Sequence, residues 1–140
     1  MERVSERIAL AQKALATFQE LAKLTAPSLI ERDAAIQRFE YSFEAVWKAT
    51  QRYLQDMEGI DATSPKAVIR AALRSALLNE TEARQALQMA DDRNLTSHTY
   101  HEAVAKLIFS RASGYATLMH VWVERLQERL RASRLSEISR

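Results

Sequence analysis

The chain has 140 residues, with twenty lysines and arginines against eighteen aspartates and glutamates, a formal charge of +2 and no cysteine. That length suits a single domain, residues 1–140, with a core of its own, and only two glycines and two prolines leave little room for loops or an all-β fold. A mixed surface charge gives no argument for nucleic acid. Without cysteines, a bilayer-length apolar run or a signal-peptide pattern at Met1-Glu2-Arg3, a cytoplasmic protein with no membrane association is expected.

Capping signals and hydrophobic periodicity divide the chain into five helical segments, roughly 3–24, 29–57, 65–78, 81–93 and 100–133. Ile8, Ala11, Leu15, Phe18 and Ala22 form the apolar stripe of the first. The second opens with the capping box Ser28-Leu29-Ile30-Glu31 and buries Ile36, Phe39, Phe43, Val46, Trp47, Thr50, Tyr53, Leu54 and Met57, with Gly59 as its stop. Phe39, Phe43 and Trp47 at this spacing read as core, not as a base-stacking platform. Ser64-Pro65 caps the third segment and Asn79 with Glu82 the fourth. In the last, Val104, Leu107, Ile108, Leu118, Trp122, Leu126 and Leu130 make the seam, Gly114 is the expected kink or break, and 135–140 is an expected frayed tail. Arg125, Arg129, Arg131, Arg134 and Arg140 give the end a basic tone, the usual mark of a solvated helix terminus. The stripes predict an all-α fold, an antiparallel four-helix bundle with short additional helices. The second helix, about 40 Å long at 1.5 Å per residue, needs another long helix or a second subunit to cover it.

Chemistry concentrates in Arg93-Asn94-Leu95-Thr96-Ser97-His98-Thr99-Tyr100. Thr99 and Glu102 have capping-box spacing, which predicts Thr99 as N-cap, His98 just outside the helix and Tyr100 in its first turn. Free backbone N–H groups, the positive helix end and the planar Arg93 fork then form an anion site suited to phosphate. More ordinary roles exist for each group. Arg93 can cap the preceding helix or pair with Asp91 or Asp92, and His98 can bond a turn carbonyl. His98, His101 and Glu102 lack a known zinc order, so no metal is assigned. His101 reads as solvent-facing, and His120 as a partly buried packing residue without acidic neighbours.

Two stretches in this order, Arg32-Asp33-Ala34-Ala35-Ile36-Gln37-Arg38-Phe39-Glu40-Tyr41-Ser42-Phe43-Glu44-Ala45-Val46-Trp47-Lys48 and Asp92 through Tyr100, resemble the nucleotidyltransferase substrate-binding protein family, also called HEPT, over about residues 3 to 132. The resemblance implies a dimerising helical bundle made with a minimal nucleotidyltransferase. In toxin members it implies RNA cleavage through an R-x4-H-x-Y motif, which falls here on Arg93, His98 and Tyr100. It further implies that the partner silences the toxin by transferring AMP to Tyr100. Ala86 stands where relatives often carry tryptophan.

The implied chemistry requires no cofactor. Cleavage needs a base for the 2′-hydroxyl proton, an acid for the leaving oxygen and positive charge at the phosphate. His98 suits either proton role and Arg93 the phosphate. One chain supplies one motif imidazole, so two motifs brought together in a homodimer would supply both. Asn94 and Thr99 stand beside the motif as phosphate-binding candidates, and Glu40 or Glu44 as the carboxylate that holds Arg93. The alternative function is a non-catalytic subunit that docks onto a nucleotidyltransferase and presents a substrate to it.

Overall fold

The computed structural model describes residues 2–139, so Arg140 of the basic tail lies outside the described residues. Five α-helices follow one another: α1 (Glu2–Ala22), α2 (Leu29–Glu58), α3 (Pro65–Arg74), α4 (Glu80–Leu95) and α5 (Glu102–Ser139). There is no strand among the described residues, and no helix is long and apolar enough to cross a membrane.

Local signals account for most of the boundaries. Ser28 and Glu31 form a reciprocal capping box at α2, as do Asn79 and Glu82 at α4, and Ser64 Oγ accepts from Ala67 N ahead of Pro65 in α3. Gly59 ends α2 in the left-handed region at φ 65°, the conformation in which a residue lacking Cβ is unstrained. α3 stops at Arg74, short of the expected 78, because Ala76 turns the chain at φ 62° and Leu77 and Leu78 drop into the core.

Two expectations for α5 are overturned. Gly114 neither breaks the helix nor ends it. It lies inside the continuous helix, with the end of the Gln85 side chain of α4 at ordinary contact distance, 3.4 Å, from where a Cβ would stand. The helix also continues beyond the expected end at 133, to Ser139, since Arg131-Ala132-Ser133-Arg134-Leu135 contains no breaker.

α1 runs antiparallel to α2, with Thr17 and Tyr41 hydroxyls sharing a hydrogen bond at 2.8 Å and Phe18 against Phe39 at 6.0 Å between ring centroids. α4 runs antiparallel to α5, pairing Asp92 with Arg111 at one end and Glu82 with Arg125 at the other. The 38-residue α5 lies parallel to α2 across the bundle, from Arg32–Glu102 to Glu58–Arg129, and so covers the long second helix from within the chain. The expected stripes of α1 and α2 are buried, except that Met57 is only partly so. Along α5 the seam is Ile108, Leu118, Trp122, Leu126 and Leu130; Leu107, expected within it, is exposed because it falls one residue off the inward face. Ala86 is fully buried where α4 crosses the core.

One polar cluster is sealed into this apolar interior. Asp92, 2% exposed, accepts both bonds of Arg111 Nη1 at 2.9 Å, and the Tyr115 hydroxyl donates to its Oδ2 at 2.6 Å. Burial, reinforced by the Asp92 charge, pushes the Tyr115 phenol well above its usual range, so it stays a donor. A charge buried this deeply is tolerated only while paired. Arg111→Met should therefore cost about 3 kcal/mol, at the low end for a broken buried pair because the arginine is itself part-exposed. Tyr115→Phe, which leaves the ion pair intact, should cost only about 1–2 kcal/mol. Combining Arg111→Met with Asp92→Leu should recover much of the loss. Urea midpoints at unchanged slope measure all three, and equal losses for both single variants would contradict the account.

Candidate functional site

Arg93 follows the buried Asp92 and, one step round the helix, points from α4 toward α2. There its Nη2 lies 3.5 Å from Glu44 Oε2. Glu44 is held in turn by the Trp47 indole N–H at 3.1 Å and by Lys48 Nζ at 3.3 Å. The expected carboxylate partner of Arg93 is thus Glu44. Glu40, one turn earlier, lines the neighbouring cleft with Gln37, Tyr41, Glu44 and Arg93 but makes no hydrogen bond or ion pair among the described residues. The simpler partners considered for Arg93 are occupied elsewhere: Asp92 by Arg111, and Asp91 by Lys66 at 2.6 Å.

Beyond Arg93 the helix ends differently from the capping expectation. α4 runs to Leu95, a 3-10 turn covers Thr96–His98, and α5 begins only at Glu102. Thr99 is no N-cap. Its backbone is right-handed helical at φ −72°, ψ −5°, and its hydroxyl donates back to the Thr96 carbonyl at 3.2 Å. Glu102, the other half of the expected box, instead takes a two-pronged bond from Arg32, at 2.7 and 3.1 Å. A charged bidentate contact outcompetes one backbone cap, so the turn is set by α2 and not by local sequence. The Arg32 guanidinium holds the Glu102 carboxyl below its ordinary value of 4.5.

Tyr100 consequently stands in the turn before α5, outside the first helical turn, and is 75% exposed. Its hydroxyl shares a hydrogen bond with His98 Nδ1 at 3.3 Å, their rings meeting edge-on at 5.9 Å. The exposed His101 ring lies against the other side of Tyr100 at 4.4 Å. His98 and Tyr100 are therefore a pair in solvent, while Arg93, 38% exposed at its side chain, belongs to the α2–α4 cleft; no hydrogen bond or ring contact joins the two groups among the described residues. Asn94 is exposed at the head of the turn, its carbonyl accepting from Ser97.

Sequence reasoning missed Arg32 as the tether of the turn and Arg111 with Tyr115 as the anchor of Asp92. The second was open to detection, because Arg111 falls between Ile108, Ala112 and Tyr115 on the inward face of α5. His120 is also corrected: it is exposed, with Nε2 3.1 Å from Glu124 Oε1 one turn on.

A family profile described as nucleotidyltransferase substrate binding protein like matches residues 6–128. A Haemophilus influenzae protein described as probable ribonuclease HepT is 30% identical over 110 residues, 74% of each chain. A solved protein from Thermus thermophilus is 59% identical, with a TM-score of 0.82 over 83% of this chain and 98% of its own. A chain of the toxin–antitoxin MntA–HpeT, solved as a mutant, shares the fold at 11% identity, with a TM-score of 0.77 over 91% of this chain and 99% of its own.

The Arg32–Glu102 tether carries a pH signature. A carboxyl whose folded pKa is depressed contributes stability that is complete above its ordinary pKa and is lost as pH falls through the lower folded value. Hydrogen-exchange protection across 96–105 should therefore drop as pH falls below 4.5, and Glu102→Gln should show the loosened turn already at pH 7. Equal protection in the variant and the parent at pH 7 would remove the tether from the account.

Proposed function

The chain belongs to the nucleotidyltransferase substrate binding protein like family, and we propose that it is a HEPT-like homodimeric subunit of a two-component module, a metal-independent ribonuclease silenced by adenylylation of Tyr100. The observation that carries this reading is the His98–Tyr100 pair, an imidazole and a phenol in hydrogen-bond contact on a solvent-exposed turn anchored to a rigid bundle. The relative described as a probable ribonuclease supports the same activity.

In the proposed reaction the His98 imidazole of one protomer takes the proton of a ribose 2′-hydroxyl as its oxygen attacks the adjacent phosphorus. The bond from phosphorus to the 5′-oxygen breaks, and the protonated His98 of the other protomer returns a proton to that oxygen. The product ends in a 2′,3′-cyclic phosphate. Arg93 neutralises charge on the crowded phosphate, a role its permanent charge and planar fork suit. Asn94 adds a side-chain amide at the entrance to the turn, and Tyr100 orients the substrate or stacks on a base.

Exposure also makes Tyr100 the accessible acceptor for a partner minimal nucleotidyltransferase. Its phenolic oxygen would attack the α-phosphorus of ATP, with pyrophosphate leaving and the phenol proton released. The added phosphodiester brings bulk and negative charge beside His98, which opposes RNA binding directly.

The second reading, a non-catalytic subunit that presents a substrate to the transferase, is favoured by one feature: within a protomer Arg93 faces Glu44, apart from His98 and Tyr100. The two readings separate on the freshly purified, unmodified chain. The nuclease reading expects RNA cleavage that persists in EDTA, is abolished by His98→Ala and falls roughly a hundred- to thousandfold with Arg93→Lys. An inactive chain that still binds its partner tightly would establish the presenting subunit instead.

Incubation with the partner, ATP and magnesium should add one AMP mapping to Tyr100, and Tyr100→Phe should abolish the mass shift. Light scattering should give twice the 16.0 kDa chain mass. A monomer at micromolar concentration would remove the two-imidazole scheme.

A further inference from the structure

On the α3 side of Arg93, away from His98 and Tyr100, lies a pocket of about 330 Å³ lined by residues of α2, α3 and α4. Trp47 and Pro65, with the buried Phe43 and Ala90, give it an apolar wall, while Arg93 and Lys66, the latter paired with Asp91 at 2.6 Å, bring two cations to it. Ser64 and Asn94 add a hydroxyl and an amide, and the Glu44 carboxylate completes the lining beside Arg93. Arg93 is underused where it stands. Its one bond, to Glu44, is at the 3.5 Å limit, and its Nε is shielded from solvent without any partner. A guanidinium in that condition has donors to spare for an anion, because a buried donor left without a partner is unfavourable.

We propose that this pocket binds a single nucleotide of single-stranded RNA, its base against the Phe43–Trp47–Pro65–Ala90 wall and its phosphate between Arg93 and Lys66. Several features favour a nucleotide over a bare anion or an apolar ligand. The volume is at the small end of the ~300–1,000 Å³ usual for ligand pockets, so it admits one unit of a polymer and not a folded element. An apolar wall beside Arg93 and Lys66 matches the two halves of a nucleotide, a flat base and an anionic phosphate, with the phosphate taking Arg93 from its long contact to Glu44 and Lys66 from Asp91. The Asn94 amide offers both a donor and an acceptor, as recognition of the edge of an unpaired base requires. Arg93 lines this pocket and the cleft toward Glu40 alike, so a nucleotide seated here places the connecting phosphate on the arginine assigned to phosphate stabilisation. The choice of RNA rests on the ribonuclease reading; nucleotide binding itself does not.

The experiment titrates the full-length chain with 3′-nucleoside monophosphates, and separately with inorganic phosphate, following backbone amide shifts of α3 and α4 by NMR. Nucleotides should bind and shift residues 64–67 and 90–94, with phosphate about tenfold weaker or worse. Ala90→Leu fills the pocket without touching charge, and Lys66→Gln removes a half-buried cation together with its ion pair to Asp91. Each should weaken nucleotide binding about tenfold, whereas Arg70→Gln, on the exposed face of the same helix, should not. For RNA cleavage, Lys66→Gln should raise KM and flatten any base preference next to the cut. Nucleotide binding that Ala90→Leu and Lys66→Gln both leave intact overturns the proposal, as does absence of binding at millimolar nucleotide. Should nucleotides bind with the expected pattern while RNA is left uncut, the pocket stands and the nuclease reading falls.

Discussion

A carboxylate almost sealed from water, Asp92, organises the functional end of this molecule. Held by Arg111 and Tyr115 of α5, it fixes the rotation and the axial position of the last turns of α4. Apolar contacts alone would do this less well, because they tolerate sliding and repacking, whereas a buried carboxylate loses its compensation as soon as its donors move. With Asp92 directed inward at α5, the next residue is carried about 100° around the helix, and Arg93 is delivered to α2. The stacked ring of Phe39 on Tyr115, 5.4 Å between centroids, extends the same constraint into the core.

From that anchor the chain leaves α4 through a tight 3-10 turn and re-enters helix under the control of Arg32. Within the segment 96–101, Ser97, His98, Tyr100 and His101 are therefore exposed, yet the segment is pinned at both ends. This combination suits a reactive pair. His98 and Tyr100 meet solvent, while the bundle restricts the conformational freedom of the turn that carries them.

Arg93 occupies a different electrostatic setting from this pair. Glu44 collects the Trp47 indole, Lys48 and Arg93, so its charge is shared among several donors and no single one is held tightly. A guanidinium loosely bonded to a carboxylate is pre-positioned without being neutralised at short range, and can exchange that contact for a phosphate at small cost. The clefts on either side of the Arg93–Glu44 contact are the places from which such an anion can arrive.

What the sequence by itself determined is whatever depends on neighbours within a turn or two. The periodic stripes of α1 and α2 marked the buried faces, and Ser28 with Glu31, Ser64 with Pro65, Asn79 with Glu82, and Gly59 each marked a helix end. The residues 93–100 could be singled out because their polar groups interrupt otherwise regular amphipathic helix. Tertiary structure decided the rest wherever a distant group offered a stronger interaction than the local one. Thr99 and Glu102 have the spacing of a cap, but Arg32, seventy residues away in sequence, binds Glu102 in two places and moves the start of α5 beyond Tyr100. Gly114 has the local preference of a helix breaker, but the helix persists through it, because the faces of α5 on either side are buried against the bundle. Which of Asp91, Asp92, Glu40 and Glu44 would take Arg93 was likewise beyond sequence spacing. It follows from the helix rotation that Asp92 imposes by its burial, an energy that exists only once α4 and α5 are packed together.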